Sequence, residues 1–226
     1  MAGGGVIGER LIAAGGNGAF AVSDNDGASW QKGTIGLGGG HIRHMTTGSD
    51  RVVGMGGHNG TGGVSNAAMS TDGDTWEVAV LDLYLSDIAY GNGVFVAAGS
   101  NKATDPALNI SNYAWSTDGL SWTEITQLSK KSGASLLGFI NGRFILRTHN
   151  YYISSENGQI WHHQPFQVPG SLTYGNGLYV GYDGSAQRLY YGTNLHALQP
   201  IDWPAVSLTG GLGSLSVLYG AVNASN

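Results

Sequence analysis

Short apolar runs alternate with glycine and polar positions along the whole chain, with the period of two expected of half-buried strands. Nowhere do apolar residues recur at the spacing of an amphipathic helix. In "IAYGNGVFVAAG" (88–99), "GFINGRFILRT" (138–148) and "LTYGNGLYVGY" (172–182), two such runs flank an Asn-Gly pair. Both residues of that pair accept positive φ, so each stretch predicts a hairpin closed by a type I′ turn. "TTGSDRVVGMGG" (46–57) is a weaker relative with Ser49-Asp50 at the turn.

A second pattern keeps the same beat. "STDGDTW" (70–76) and "STDGLSW" (116–122) are near-copies, joined by "SDNDGASW" (23–30) and "SSENGQIW" (154–161), each with one extra residue before the Gly. "YYGTNLHALQPIDW" (190–203) is a degenerate fifth copy that keeps only its Trp. The Trp residues at 30, 76, 122, 161 and 203 are 46, 46, 39 and 42 apart, the period of a four-stranded propeller blade. Each unit reads as strand A, a tight turn, strand B, a variable loop, strand C, the Ser-x-Asp-Gly turn, and strand D from the Trp. In the third unit these strands are expected near 85–90, 94–99, 112–117 and 121–126.

The two ends differ in phase. "RLIAAGG" (10–16) matches strand B, and "GSLSVLYG" (213–220) matches strand A. The expectation is an all-β single domain over 1–226, a five-bladed β-propeller of four-stranded antiparallel blades. Its ring would be closed by the C-terminal strand completing the first blade, which removes open edges. In the rival arrangement, residues 3–7 supply the first strand A and the C-terminus begins a sixth blade of a longer parent protein.

Composition supports this frame. The 39 Gly in 226 residues have no G-X-Y period, which excludes collagen and suits many tight turns. A net charge of −5 with scattered basic residues argues against nucleic acid. Cysteine is absent, so thiol nucleophiles and Cys-ligated zinc are excluded. No apolar run is long enough to span a membrane, and "MAGGGVIGERL" lacks the basic-then-apolar order of a signal peptide.

The seven-letter motif resembles the Asp box of the sialidase-type (BNR-repeat) propellers. With Tyr-Gly-Asn-Gly-Val-Phe-Val, the pattern is similar to repeats of bacterial and phage-encoded propeller proteins. Asp26, Asp72, Asp118 and Glu156 are expected to accept backbone hydrogen bonds within their turns. Trp30, Trp76, Trp122 and Trp161 are expected to pack between hairpins. The resemblance raises sialidase chemistry, which in that family uses three arginines, a Tyr–Glu pair and an Asp. The family's Phe/Tyr-Arg-Ile-Pro motif is missing, and Arg10, Arg43, Arg51, Arg143, Arg147 and Arg188 do not place as a triad on one face. Gly-x-Ser-x-Gly is also absent. No catalytic residue, metal site or cofactor is expected, and sialidase-type glycoside hydrolysis remains a distant alternative.

Histidines occur in "HIRH" (41–44), where strand alternation sends His41 and Arg43 to one side, Ile42 and His44 to the other. Recognition is expected instead in the variable B–C loops, at His58, Asn101, Tyr113, His149, Tyr151, Asp183 and Arg188. The resulting expectation is a binding module on a phage tail, other virion or extracellular surface. Its partner would be a cell-surface glycan or receptor protein, or other virion proteins, with neither nucleic acid nor membrane insertion involved. The alternative is a structural or decoration protein of a virion or tail.

Overall fold

The computed structural model describes residues 3–57, 64–101, 110–128, 135–147, 152–164, 171–183 and 188–201. The chain divides into two compact units, Met1–His163 and Gln164–Asn226.

The first unit carries four sheets of four antiparallel strands, each a simple meander. The first blade is β1 (Gly3–Ile7), β2 (Arg10–Ala14), β3 (Ala19–Ser23) and β4 (Gln31–Thr34). The second is β5 (His44–Thr47), β6 (Val52–Gly57), β7 (Ser65–Ser70) and β8 (Glu77–Leu81). The third is β9 (Asp87–Gly91), β10 (Val94–Asn101), β11 (Ile110–Ser116) and β12 (Thr123–Glu124). The fourth is β13 (Ser135–Ile140), β14 (Arg143–Arg147), β15 (Tyr152–Ser155) and β16 (His162–Gln164). The second unit carries one such sheet, β17 (Ser171–Gly175), β18 (Leu178–Asp183), β19 (Arg188–Gly192) and β20 (Gln199–Pro200). Five four-stranded antiparallel sheets are thus present, as the repeat spacing implied.

The Asn-Gly hairpins form as expected. Asn92, Asn141 and Asn176 have φ of 48°, 49° and 52°, and each is followed by a positive-φ glycine, the type I′ signature. Ser49-Asp50 differs: neither residue has positive φ, and the turn is held by Gly48 N donating to Arg51 O at 2.7 Å.

One expectation is corrected at the first blade. The strand beside residues 10–14 is Gly3–Ile7, paired from Gly3↔Ala14 to Ile7↔Arg10, while β3 occupies the other side. Both sides of β2 are thus taken, by β1 and β3, as in the rival arrangement, and residues 213–220 lie outside the described residues. Glycine suits this strand because it lies close against the second blade. A Cβ on Gly3 would meet Met45 N at 2.8 Å, and one on Gly5 would meet Val52 Cγ1 at 2.6 Å.

Within the first unit, the Ser-x-Asp-Gly turn of each later blade seats on the blade before it. A Cβ on Gly73 would lie 3.0 Å from Ile12 Cδ1, on Gly119 2.4 Å from Val53 Cγ2, and on Gly158 2.6 Å from Val96 Cγ2. The following Trp fills the remaining gap. Trp76 packs on Phe20 of the first blade with ring centroids 5.7 Å apart, Trp122 on the core shared by the second and third, and Trp161 within that of the third and fourth. Trp30, in the first blade, is 41% exposed instead.

Polar clamps follow the same order. At the start of strand B, Arg10 donates to Asp72 O, Arg51 to Asp118 O at 3.2 Å, and Asn92 to Glu156 O at 2.9 Å. Each ties an A–B turn to the C–D turn of the next blade. Arg10 also pairs with Asp24 at 2.5 Å and Asp74 at 2.8 Å. Arg10 and Arg51 are thus blade-to-blade links, whereas Arg143, at the start of β14, pairs with Glu156 within its own blade.

In the second unit the degenerate repeat is shifted from its expected place. β20 begins at Gln199 and pairs Tyr191↔Gln199, so Leu198 stands where the other blades carry Trp. Trp203 lies outside the described residues.

Candidate binding site

The turn carboxylates are structural in their contacts. Asp72 Oδ1 accepts from the N–H groups of Asp74 and Thr75, both at 2.8 Å. Asp118 Oδ1 accepts from Leu120 at 2.8 Å and Ser121 at 2.7 Å. Two residues singled out from the sequence do not have this role. In the fourth blade Asn157 Oδ1 accepts from Gln159 and Ile160, both at 2.9 Å, while Glu156 reaches Arg143 at 2.5 Å. In the first blade Asn25 Oδ1 accepts from Ser29 N at 2.9 Å, and Asp26 is the inserted residue, with φ 54°. The turn needs a side-chain oxygen two residues after its Ser, and an amide oxygen serves as well as a carboxylate.

The ionised form is nonetheless favoured where Asp is used. Thr75, through its hydroxyl and its N–H, holds the Asp72 carboxyl well below the usual range. Burial alone would raise Asp118, but the N–H groups of Ser121 and Leu120 bring it down to about 2. Asp118→Ala is expected to cost about 1–2 kcal/mol through two lost charge-assisted hydrogen bonds, whereas Asp118→Asn stays within about 0.5 kcal/mol at neutral pH. A depressed carboxyl contributes stability above its unfolded value of 3.8 and loses it as pH falls through about 2. Urea titrations between pH 5 and 2 should therefore show a shallower acid loss for Asp118→Asn than for the parent. An equally steep loss would move the acid sensitivity elsewhere.

A different polar group gathers at the end of the first unit where strands A begin. After β4, Ile35 N donates to Gly18 O at 2.7 Å, and Ile35, Leu37 and Ile42 are buried. Residues 41–43 then run along β6, with His41 N donating to Gly57 O at 3.1 Å and Arg43 N to Met55 O at 2.9 Å. Ile42 N reaches back to Gly15 O of the first blade at 3.1 Å. The approach is close: a Cβ on Gly56 would sit 1.7 Å from His41 O, and one on Gly54 2.9 Å from Ile42 Cγ2. Ile42 is therefore a buried peg, and His41 and Arg43 flank it on the other side, as the alternation required. Arg43 Nε donates to His41 Nε2 at 2.8 Å.

The next blade repeats the device. Leu85 is its buried peg, bracketed by Ser65 Oγ, which accepts from Leu85 N at 2.6 Å and donates to Leu85 O at 2.7 Å. Asp87 then opens β9, accepting from Ile88 N at 2.9 Å and lying 3.1 Å from His44 Nδ1. His44 is thus not on a core face: its side chain is exposed and joins the second blade to the third. The Asp87 hydrogen bond raises the His44 pKa, against desolvation and the Arg43 charge, which lower it. His41 with Arg43, and His44 with Asp87, form two polar pairs on backbone pinned by Ile42 and Leu85.

The residues expected from the variable loops are brought together only in part. His58, His149 and Tyr151 lie outside the described residues. Asn101 ends β10, opposite Ile110. Tyr113 is a correction: it is 1% exposed, inside the core shared by the third and fourth blades. Strand C starts at Ile110, and at Tyr113 its alternation points inward, so that ring is packing rather than recognition. Asp183 and Arg188 face each other across the open end of the β18–β19 hairpin in the second unit, Arg188 exposed. His44–Asp87 was missed because the two residues are far apart in sequence and belong to different repeats.

Among the described residues, no group of three or more His, Asp or Glu is placed to hold a metal ion. No helix of the described chain is long and apolar enough to cross a membrane.

No protein-family model matches the chain, and no curated protein matches it. Solved structures do. YCF48 bound to D1 peptide superposes with a TM-score of 0.61 at 15% identity, over 87% of this chain and 66% of that one. The nidogen/laminin complex matches with a TM-score of 0.52 at 10% identity, over 84% of this chain and 74% of that one. With the five four-stranded antiparallel sheets, these likenesses show a β-propeller fold.

Proposed function

We propose that the chain is a non-catalytic binding module that holds a protein or peptide partner at the end where strands A begin. The observation that carries this reading is the two polar pairs, His41–Arg43 and His44–Asp87, on pinned backbone. Polar groups already ordered in the free protein lose little entropy on binding. Both similar structures are named with a polypeptide partner, D1 peptide for one and laminin for the other, which supports the same use here.

The resemblance of the Ser-x-Asp-Gly-x-x-Trp turns to the Asp box of bacterial and phage propellers supports a finer reading. In it the module stands on a virion, tail or other extracellular surface and engages a receptor protein or cell-surface glycan. Peptide-display and glycan arrays probed with the full chain test both levels. Peptides should be retained, and Arg43→Ala with His44→Ala should weaken the selected peptides about 10-fold or more without lowering Tm. Retention of glycans alone, or peptides indifferent to the double variant, would reject a peptide site at these pairs.

A further inference from the structure

Among the described residues, the last strand of each of the five sheets (β4, β8, β12, β16 and β20) has a strand on one side only, and four of them carry features that discourage strand addition. β4 (QKGT) contains Lys32 and Gly33, β12 has two residues, β16 (HHQ) is short and polar, and β20 is the two-residue Gln199–Pro200. Such blunting is how sheets avoid unwanted pairing. β8 has none of it. Its sequence is EVAVL, it pairs in continuous register with β7 from Met69↔Glu77 to Ser65↔Leu81, and its other side has no strand among the described residues. Val78, Ala79 and Leu81 pack inward on the neighbouring cores, which fixes the strand. Val80, at 63%, is the most exposed of the large hydrophobic residues described.

The charges beside β8 define what fits it. Glu77 and Asp82 stand exposed at its two ends, neither in an ion pair among the described residues, and residues 74–87 contain no Lys or Arg. A second copy adding antiparallel would bring Glu77 against the acidic end of its twin, so self-pairing is opposed. A strand with basic ends is favoured.

We propose that β8 is an acceptor edge for strand addition. Its occupant is an extended peptide segment of a partner protein, apolar at alternate positions and carrying Lys or Arg at both ends. Main-chain hydrogen bonds to the free side of β8 supply affinity, contact with Val80 fixes the register, and Glu77 and Asp82 fix the ends. This surface is separate from the His41–Arg43 and His44–Asp87 pairs and does not rest on that reading.

The test uses the full chain, isotope-labelled, titrated with the peptide Lys-Thr-Val-Thr-Val-Thr-Lys and with the same peptide carrying Glu at both ends. The basic peptide should shift the amides of residues 77–81 and slow their hydrogen exchange. The acidic peptide should bind at least 10-fold more weakly. Val80→Lys, a change at an exposed site, should remove binding while leaving Tm unchanged. No shift at millimolar peptide, or equal binding by Val80→Lys, overturns the proposal. Shifts centred on His41 and Arg43 would also overturn it while leaving the reading of those pairs intact. Concentration-dependent self-association protecting residues 77–81 would make the occupant a second copy and reject a partner peptide.

Discussion

Gly119→Ala is expected to lower the unfolding free energy by about 2–5 kcal/mol, against about 1–2 kcal/mol for Gly93→Ala. The two glycines share a backbone state, with φ of 84° and 79°. A methyl group in that left-handed region carries the smaller cost at either site. Their surroundings differ. Around Gly93 nothing lies within 4 Å of an added Cβ, whereas at Gly119 it would meet Val53 Cγ2 at 2.4 Å and Cγ1 at 3.2 Å. Val53 is fully buried in the core shared by the second and third blades, so it has no room to retreat. Forcing an extra carbon into such a contact adds about 1–3 kcal/mol. Val53→Ala removes both γ carbons and should recover part of the loss, giving a favourable coupling of about 1 kcal/mol or more in a double-mutant cycle read by urea denaturation. Equal losses for the two glycines, with no coupling to Val53, would mean that backbone conformation alone explains the motif and that blade-on-blade seating contributes nothing.

That seating explains which parts of the fold are legible in the sequence. The Asn-Gly hairpins and Ser-x-Asp-Gly turns are local chemistry, so the strand order and repeat length follow from a handful of letters. Matching letters rather than positions obscured the turns at Asp26 and Glu156. The accepting atom is an oxygen at a fixed offset, and Asn25 and Asn157 supply it. Gly3–Ile7 was harder to see as a strand, because glycine has low β propensity. Its glycines reflect crowding by Met45 and Val52, contacts with another blade that no local pattern encodes. Likewise Leu198 replaces a Trp without changing the pairing of β19 and β20, so the shared letter at Trp203 was a false guide.

The candidate site was legible to a lesser degree. The alternation in "HIRH" places His41 and Arg43 together, and their 2.8 Å hydrogen bond bears this out. His44 meeting Asp87 depends on how two repeats pack, which the separate repeats do not state. Tyr113 shows the converse error. An aromatic residue next to a variable loop suggests a ligand anchor, but a strand starting at Ile110 turns its ring into the core.

Trp161→Ala should have the largest effect of any single substitution considered for this chain, about 3–5 kcal/mol. The indole is 6% exposed and sits among Val94, Val96, Phe144 and Ile153, so its removal opens a cavity between the third and fourth blades. It also leaves Gly158 O without the Nε1 hydrogen bond made at 2.9 Å, which adds about 1 kcal/mol to the same total. For a chain of this size the expected fall in Tm is roughly 6–20 °C. Trp161→Leu should retain about half of the stability lost in Trp161→Ala, since a branched aliphatic fills part of the cavity and Leu198 serves at the same position of the second unit. Trp30 is the control. It makes the same hydrogen bond, to Gly27 O at 3.1 Å, but is 41% exposed, so Trp30→Ala should cost about 1 kcal/mol. Circular dichroism is the suitable readout, because each substitution removes one of the six Trp on which fluorescence depends. Equal shifts at 161 and 30 would show that the turn hydrogen bond, and not the packing between blades, is what the repeated Trp provides.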